Sequence, residues 1–415
     1  MNALDLIYIP VALITAPAWA GKKRHGWRER FGHTPTLPPP QKKRILLHAV
    51  SVGEVNALRT LVPLLTPHAE VVISTTTDTG LARASELFKM SATVVRYPLD
   101  FSWAVRRFLD SVKPDMIALV ELEVWPNFVR ECSRRHIPVC IINGRLSERS
   151  FKGYRRIRGF FGRLLNLLHT AAVQDDDYAA RFKALGLAPD KCIITGSMKW
   201  DSAHITEGQA LAPGALELAT EMGIDRQRPL IVAGSTGPEE EALLHAACPP
   251  EVQLLCAPRK PERFDEAAAA LPRCVRRSQR PSGAPTGRPA DRFLLDTIGE
   301  LRKAYSLADL VVVGRSFGNL YGSDPIEPIG LGRPTIIGPA VDDFAQVVRA
   351  FEEAGGIARA TRETLPDVLR DLLADAAKRR TLVERGRGCI RAHQGASRRH
   401  AEIILRLAGV DHPIA

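Results

Sequence analysis

The chain has 415 residues, and its 57 Lys and Arg against 46 Asp and Glu give a formal charge of +11. A hydrophobic fraction of 45% with 25% charged residues excludes a disordered or fibrous chain, and a single apolar stretch near the start excludes a polytopic membrane protein. One hydrophobic core seldom grows past about 250–300 residues, so two domains are expected, and the basic excess favours an anionic partner: nucleic acid, an acidic membrane surface or a phosphorylated substrate.

Residues 4–20 are nearly all apolar, broken by Asp5, Pro10 and Pro17, and Lys22, Lys23, Arg24, His25, Arg28 and Arg30 follow at once. A secretory signal carries its positive charge before the apolar core, not after it. With two prolines the segment is marginal for spanning a hydrocarbon layer of about 30 Å. Residues 1–30 therefore read as a monotopic anchor whose basic skirt meets anionic head groups, with a buried first helix as the alternative. The seven cysteines show no CxxC, and several sit inside apolar runs, which is the pattern of reduced thiols in a cytosolic setting.

From Arg44 onward, short β-branched runs alternate with helical stretches. Strands are expected at 45–50, 71–75, 93–97, 116–121, 138–143 and 171–174, with helices at 54–65, 80–88, 104–111 and 127–135 between them. Residues 193–196 end this series, and 201–213 is polar and turn-rich. A second series follows at 230–235, 253–257, 292–296, 309–314 and 334–338, interrupted by a Pro-, Gly-, Ser- and Arg-rich loop at 276–290. The alternation predicts an α/β chain of two doubly wound, Rossmann-like domains, 31–205 and 206–415, each binding ligand at the carboxyl ends of its strands.

No P-loop, strand-linked GxGxxG, HExxH or metal-spaced Cys/His cluster occurs. Gly314-Arg-Ser316-Phe-Gly318 matches GxSxG, but a nucleophile elbow runs straight into a helix, and here the turn residues Asn319 to Pro325 follow. Nucleic-acid binding lacks interleaved aromatics or a known module.

Three clusters carry chemistry in the first series. Strand 45–50 ends in Ser51-Val-Gly-Glu54, where a helix start would hold the Glu54 carboxylate ionised and suit it to be a general base for a hydroxyl. An ordinary helix-opening glutamate is the plain alternative. Glu121-Leu-Glu123-Val-Trp-Pro-Asn127 delivers two carboxylates in i, i+2 register. Thr195-Gly-Ser-Met-Lys199 sets a lysine at the end of the first series, where a cation could neutralise a leaving phosphate. In the second series Pro258-Arg259-Lys260-Pro-Glu-Arg263 places three cations after a strand. Asp324-Pro325-Ile326-Glu327 begins a helix whose N–H groups could hold a phosphate, with Glu327 on a ribose diol.

His48-Ala-Val-Ser-Val-Gly-Glu54, Glu121 to Asn127, Arg145-Leu-Ser-Glu-Arg-Ser150, Thr195 to Lys199 and Pro258 to Phe264 together resemble the motifs of the lipid A 3-deoxy-D-manno-octulosonic acid (Kdo) transferases, over nearly the whole chain. The resemblance implies a GT-B fold, with an acceptor domain followed by a donor domain. It implies inverting, metal-independent transfer of Kdo from the donor substrate CMP-Kdo to an anionic lipid A precursor, at the cytoplasmic face of the inner membrane and without a further cofactor or nucleic acid. By motif position Glu54 is the base, and Glu121 and Lys199 stabilise the transition state. Pro258 and Arg259, then Ile298, Gly299 and Glu300, then Asp324, Pro325, Ile326 and Glu327 hold CMP.

The departures lie in the second half. The family's Ser-Thr-His is here Ser235-Thr-Gly237, its Gly-Gly-Ser is Gly314-Arg315-Ser316, its Gly-Gly-His-Asn is Tyr321 to Asp324, and its Gly-Pro-His is Gly338-Pro-Ala340. A related transferase with another activated sugar, and a non-catalytic lipid-binding relative, are the alternative readings.

Overall fold

A computed structural model describes residues 2, 4–6, 8, 10, 25–206, 211–279 and 291–410. Most of the expected anchor, with Lys22 to Arg24, and residues 280–290 of the expected loop lie outside the described residues.

The chain divides into two compact units, residues 1–202 with 393–415, and residues 203–392. Unit 1 carries β1 (Arg44–His48), β2 (Glu70–Thr75), β3 (Thr93–Arg96), β4 (Met116–Val120), β5 (Val139–Gly144), β6 (Thr170–Val173) and β7 (Cys192–Ile194). All pair in parallel, in the order β3-β2-β1-β4-β5-β6-β7. Strands buried on both faces read as continuous apolar runs, and the period of two sorts them: Leu46 and Val72 face one core, Ile45, Leu47, Val71 and Ile73 the other.

Unit 2 carries β8 (Leu230–Thr236), β9 (Gln253–Pro258), β10 (Val275–Arg276), β11 (Arg292–Leu294), β12 (Leu310–Val313), β13 (Thr335–Ile337) and β14 (Ala358–Arg359), all parallel, in the order β10-β11-β9-β8-β12-β13-β14. Both sheets are thus doubly wound, and the strand order reverses between β1 and β4 in unit 1 and between β8 and β12 in unit 2. Ligand crevices of such sheets open at the carboxyl ends of the strands flanking the reversal.

Three expectations need correction. The second domain does not run to the C-terminus: Ala396, Ala401, Ile404 and Leu405 of the last helix (Ala396–Leu407) fill a core face of unit 1, and Asp201 accepts from the Gly395 and Ser397 N–H groups. The 276–290 loop begins inside structure, since Arg276 is in β10 and pairs with Asp296 at 2.7 Å. Not all of the basic skirt faces solvent, because Arg30 is buried and pairs with Asp78.

No helix among the described residues is long and apolar enough to cross a membrane. Asp5 is fully buried and accepts from the Ser102 N–H (2.8 Å), the Ser102 hydroxyl (2.6 Å) and Asn127 Nδ2 (3.2 Å). The Tyr8 hydroxyl donates to Asp100 at 3.0 Å, so the described part of the N-terminal segment is docked on unit 1.

Candidate active site

In unit 1 the loops after β1 and β4 flank the reversal point. Ser51 caps the short helix Val52–Ala57, accepting from the Glu54 N–H, while the Glu54 carboxylate reaches back to the Val50 N–H (2.8 Å) and the Ser51 hydroxyl (2.8 Å). This is a variant of the capping box, and it fixes the carboxylate beside the end of β1. The expectation that the helix start holds Glu54 ionised is overturned. Burial pushes its carboxyl up to about 7, against the two hydrogen bonds, and the charges of Glu121 and Glu123 add to the rise. A carboxyl with that value is poised for proton transfer near neutral pH.

Glu121 and Glu123 share the Glu54 environment, but not through strand alternation. Glu121 has a φ of 60°, so the strand geometry ends there. Glu123 accepts from Trp125 Nε1 at 3.0 Å, and burial, opposed by that bond and helped by the Glu121 charge, raises its pKa. Asn127, the last residue of the same motif, is structural. Its N–H donates to Asp100 at 2.9 Å, and its side chain is bonded to Asp100, Asp5 and Asn2. Lys199 follows a segment fixed at the end of β5, where the left-handed Asn143 (φ 52°) accepts from the Met198 N–H at 3.1 Å. His48, at the end of β1, is fully buried and stacked on Tyr97 at 3.6 Å; burial drives its pKa down to about 3, so it is neutral.

In unit 2, Tyr305 gathers three of the expected donor residues. Its buried hydroxyl feels the charges of Glu327, Asp324 and Arg259, and it packs so closely under β8 that a Cβ at Gly234 would lie 1.9 Å from the hydroxyl oxygen. Pro258 ends β9 and is buried, and the exposed Arg259 donates its N–H to the Thr236 carbonyl. Ile298 is exposed, Gly299 turns at φ 95°, and Glu300 precedes the helix Leu301–Leu307. The Glu300 carboxylate accepts from Thr297 and Arg277, which outweigh its burial and lower its pKa.

The expected phosphate-binding helix start at Asp324 to Glu327 is corrected. The helix Ile326–Gly330 has five residues, the Asp324 carboxylate takes the Ile326 N–H at 2.9 Å, and Glu327 pairs with Arg302 at 3.5 Å. Ser316 is no nucleophile: it is buried, donates to the Val313 carbonyl and accepts from the Gly338 N–H.

One residue had no signal in the sequence beyond an acidic run at a helix start. Glu240 is buried, no ion pair engages it among the described residues, and its carboxylate receives four backbone N–H groups, from Gly237 (2.8 Å), Arg315 (2.7 Å), Ser316 (2.8 Å) and Phe317 (3.0 Å). It clamps the loops after β8 and β12 together. The neighbouring Glu241 pairs with Arg263 at 2.9 Å. No group of three or more metal-ligating side chains occurs among the described residues.

Two parallel-sheet, doubly wound units, each with polar groups at its reversal point, place the chain in the GT-B-like class of fold. Solved structures agree at the level of fold: a glycosyltransferase from Rickettsia africae matches with a TM-score of 0.59 at 10% identity, covering 88% of this chain and 99% of that one. The UDP-GlcNAc 2-epimerase of Neisseria meningitidis matches with a TM-score of 0.56 at 14% identity, over 88% and 100%. The family model for 3-deoxy-D-manno-octulosonic-acid transferase (kdotransferase) matches residues 25–202. The 3-deoxy-D-manno-octulosonic acid transferase of Bordetella pertussis is 35% identical over 90% of this chain and 90% of its own length, and that of Haemophilus influenzae 30% identical over 97% and 95%. The chain belongs to the Kdo transferase family, the glycosyltransferases that add Kdo in lipopolysaccharide biosynthesis.

Proposed function

We propose that the chain moves Kdo from CMP-Kdo to a lipid A precursor with Glu54 as general base, in an inverting reaction that uses no metal. The observation that carries this reading is the Glu54 carboxyl, held at the end of β1 beside two further acids with its pKa raised to about 7. Ionised, Glu54 takes the proton from an acceptor hydroxyl as that oxygen bonds to the anomeric carbon of Kdo. The anomeric carbon–phosphate oxygen bond breaks, and CMP leaves with the electron pair. Glu121 and Lys199 stabilise the charge that develops, and Arg259 with the segment 298–300 and the side chains of Asp324 and Glu327, rather than helix N–H groups, holds the nucleotide.

The acceptor is an anionic lipid in this reading, and the surface of unit 1 supports it. Trp125, Ile157 and Phe160 are exposed apolar side chains, Arg130 stacks over Phe160, and Arg155, Arg156 and Arg158 are exposed beside them. Apolar groups rimmed by cations suit acyl chains below phosphate head groups. Together with residues 1–30 they would seat the enzyme on the cytoplasmic face of the inner membrane.

The test is transfer by the purified chain from CMP-Kdo to a lipid A precursor in vesicles, with CMP release and product mass as readouts. A product heavier by one or more Kdo residues supports the reading. CMP-Kdo left intact beside an acceptor that is modified from another nucleotide sugar overturns it.

A further inference from the structure

We infer that Arg315 is a specificity-determining ligand of the donor site, its guanidinium binding an anionic oxygen of the nucleotide sugar at the β8/β12 crevice. This rests on the donor reading above. Arg315 follows β12 at the reversal point of the unit 2 sheet, where doubly wound sheets take their ligands. Its φ is 58°, a left-handed backbone that glycine adopts freely and that costs any residue bearing a Cβ. The bend is imposed from below, because Glu240 collects the N–H groups of Gly237, Arg315, Ser316 and Phe317. The fold thus calls for glycine at this place and carries arginine at a cost to stability.

The guanidinium has no structural use to offset that cost. It is half-buried, and among the described residues no hydrogen bond or ion pair engages it. Other buried or half-buried arginines of the unit differ: Arg263 pairs with Glu241, Arg276 with Asp296, and Arg333 donates to the Ser306 and Ala308 carbonyls. Since Glu240 occupies the N–H groups of Arg315, Ser316 and Phe317, those groups are not offered to an anion, and the Arg315 side chain is the donor at this point of the loop.

Gly237 lies beside it. A Cβ there would stand 3.5 Å from Arg315 Cγ and 2.7 Å from Leu320 Cδ1, so the arginine stem lies over the glycine. Two of the departures from the family pattern therefore meet in space, a side chain missing at 237 and one added at 315. The anion is the donor phosphate or the sugar carboxylate, since a guanidinium forks onto either.

The experiment compares wild type, Arg315→Gly and Arg315→Lys by calorimetric titration with CMP and with cytidine, and by steady-state kinetics with CMP-Kdo. Melting temperatures come first: Arg315→Gly relieves the bend and melts at or above wild type, so a binding defect in it is not a folding defect. CMP affinity falling about tenfold or more with cytidine affinity unchanged assigns the phosphate, and Arg315→Lys recovers part of it. Unchanged CMP affinity with a KM for CMP-Kdo raised to the same extent assigns the carboxylate. Wild-type CMP affinity and KM in Arg315→Gly, or equal losses for CMP and cytidine, overturn the inference alone. A wild-type chain that binds neither CMP nor cytidine overturns the donor reading and the inference with it.

Discussion

Glu54→Gln separates the chemistry of the site from its cost to stability. The carboxyl rises from 4.5 to about 7, chiefly by burial. Between those values the folded chain holds a proton that the unfolded chain has released. The contribution of this group to stability is therefore fully present below about pH 4.5 and is lost as the pH rises through 7. At about 1.4 kcal/mol per pKa unit, discounted for partial exposure, the loss is roughly 2–3 kcal/mol at pH 8. Glutamine keeps the shape, can accept from the Val50 N–H and donate to the Ser51 hydroxyl oxygen, and never ionises. The variant is expected to melt with wild type at pH 4 and several degrees above it at pH 8. Its turnover falls about 10²- to 10⁴-fold with CMP affinity unchanged, because only proton transfer is removed. In wild type, log kcat rises with unit slope as Glu54 ionises and levels above pH 7. Calorimetric melts at the two pH values and a transfer assay across pH 5–9 read all of this. A variant within fivefold of wild-type turnover refutes the base, and one that melts below wild type at pH 8 refutes the burial argument.

Gly234→Ala places a methyl 1.9 Å from the Tyr305 hydroxyl oxygen; unit 2 should lose about 1–3 kcal/mol and bind CMP more weakly, with partial recovery in the double variant carrying Tyr305→Phe, as urea unfolding and titration will read. Glu240→Gln leaves one oxygen to accept from four converging N–H groups and turns an amide NH2 toward the rest, a cost of about 3 kcal/mol; unchanged urea stability would remove Glu240 as the clamp. Leu405→Ala empties a side chain that is 1% exposed in the unit 1 core. It should cost about 2–5 kcal/mol and destabilise the unit 1 transition in two-step unfolding, whereas an effect on unit 2 alone would contradict the division of the chain.

The strands were legible because they are buried on both faces, so runs such as Leu230 to Ala233 leave no polar residue to blur the pattern. The two-residue edge strands β10 and β14 were not, since so short a run has no period. The last helix was not read from the sequence; it carries an apolar stripe, yet a stripe says that a face is buried and not against what, and only the fold assigns Ala401 and Ile404 to the first unit. Glu54 was found from its motif while its protonation was misjudged, because helix polarity is local and visible whereas burial is set by distant residues. The i, i+2 argument for Glu121 and Glu123 failed at a left-handed residue, and the same geometry recurs at Arg315. Both follow the strand at which their sheet reverses order, β4 in unit 1 and β12 in unit 2. Side chains that a glycine would spare the backbone stand at the mouth of each crevice, an acid in one unit and a base in the other. On the proposed function, sequence rules built on unstrained geometry break at those two positions because ligand chemistry, rather than folding, selects the residue there.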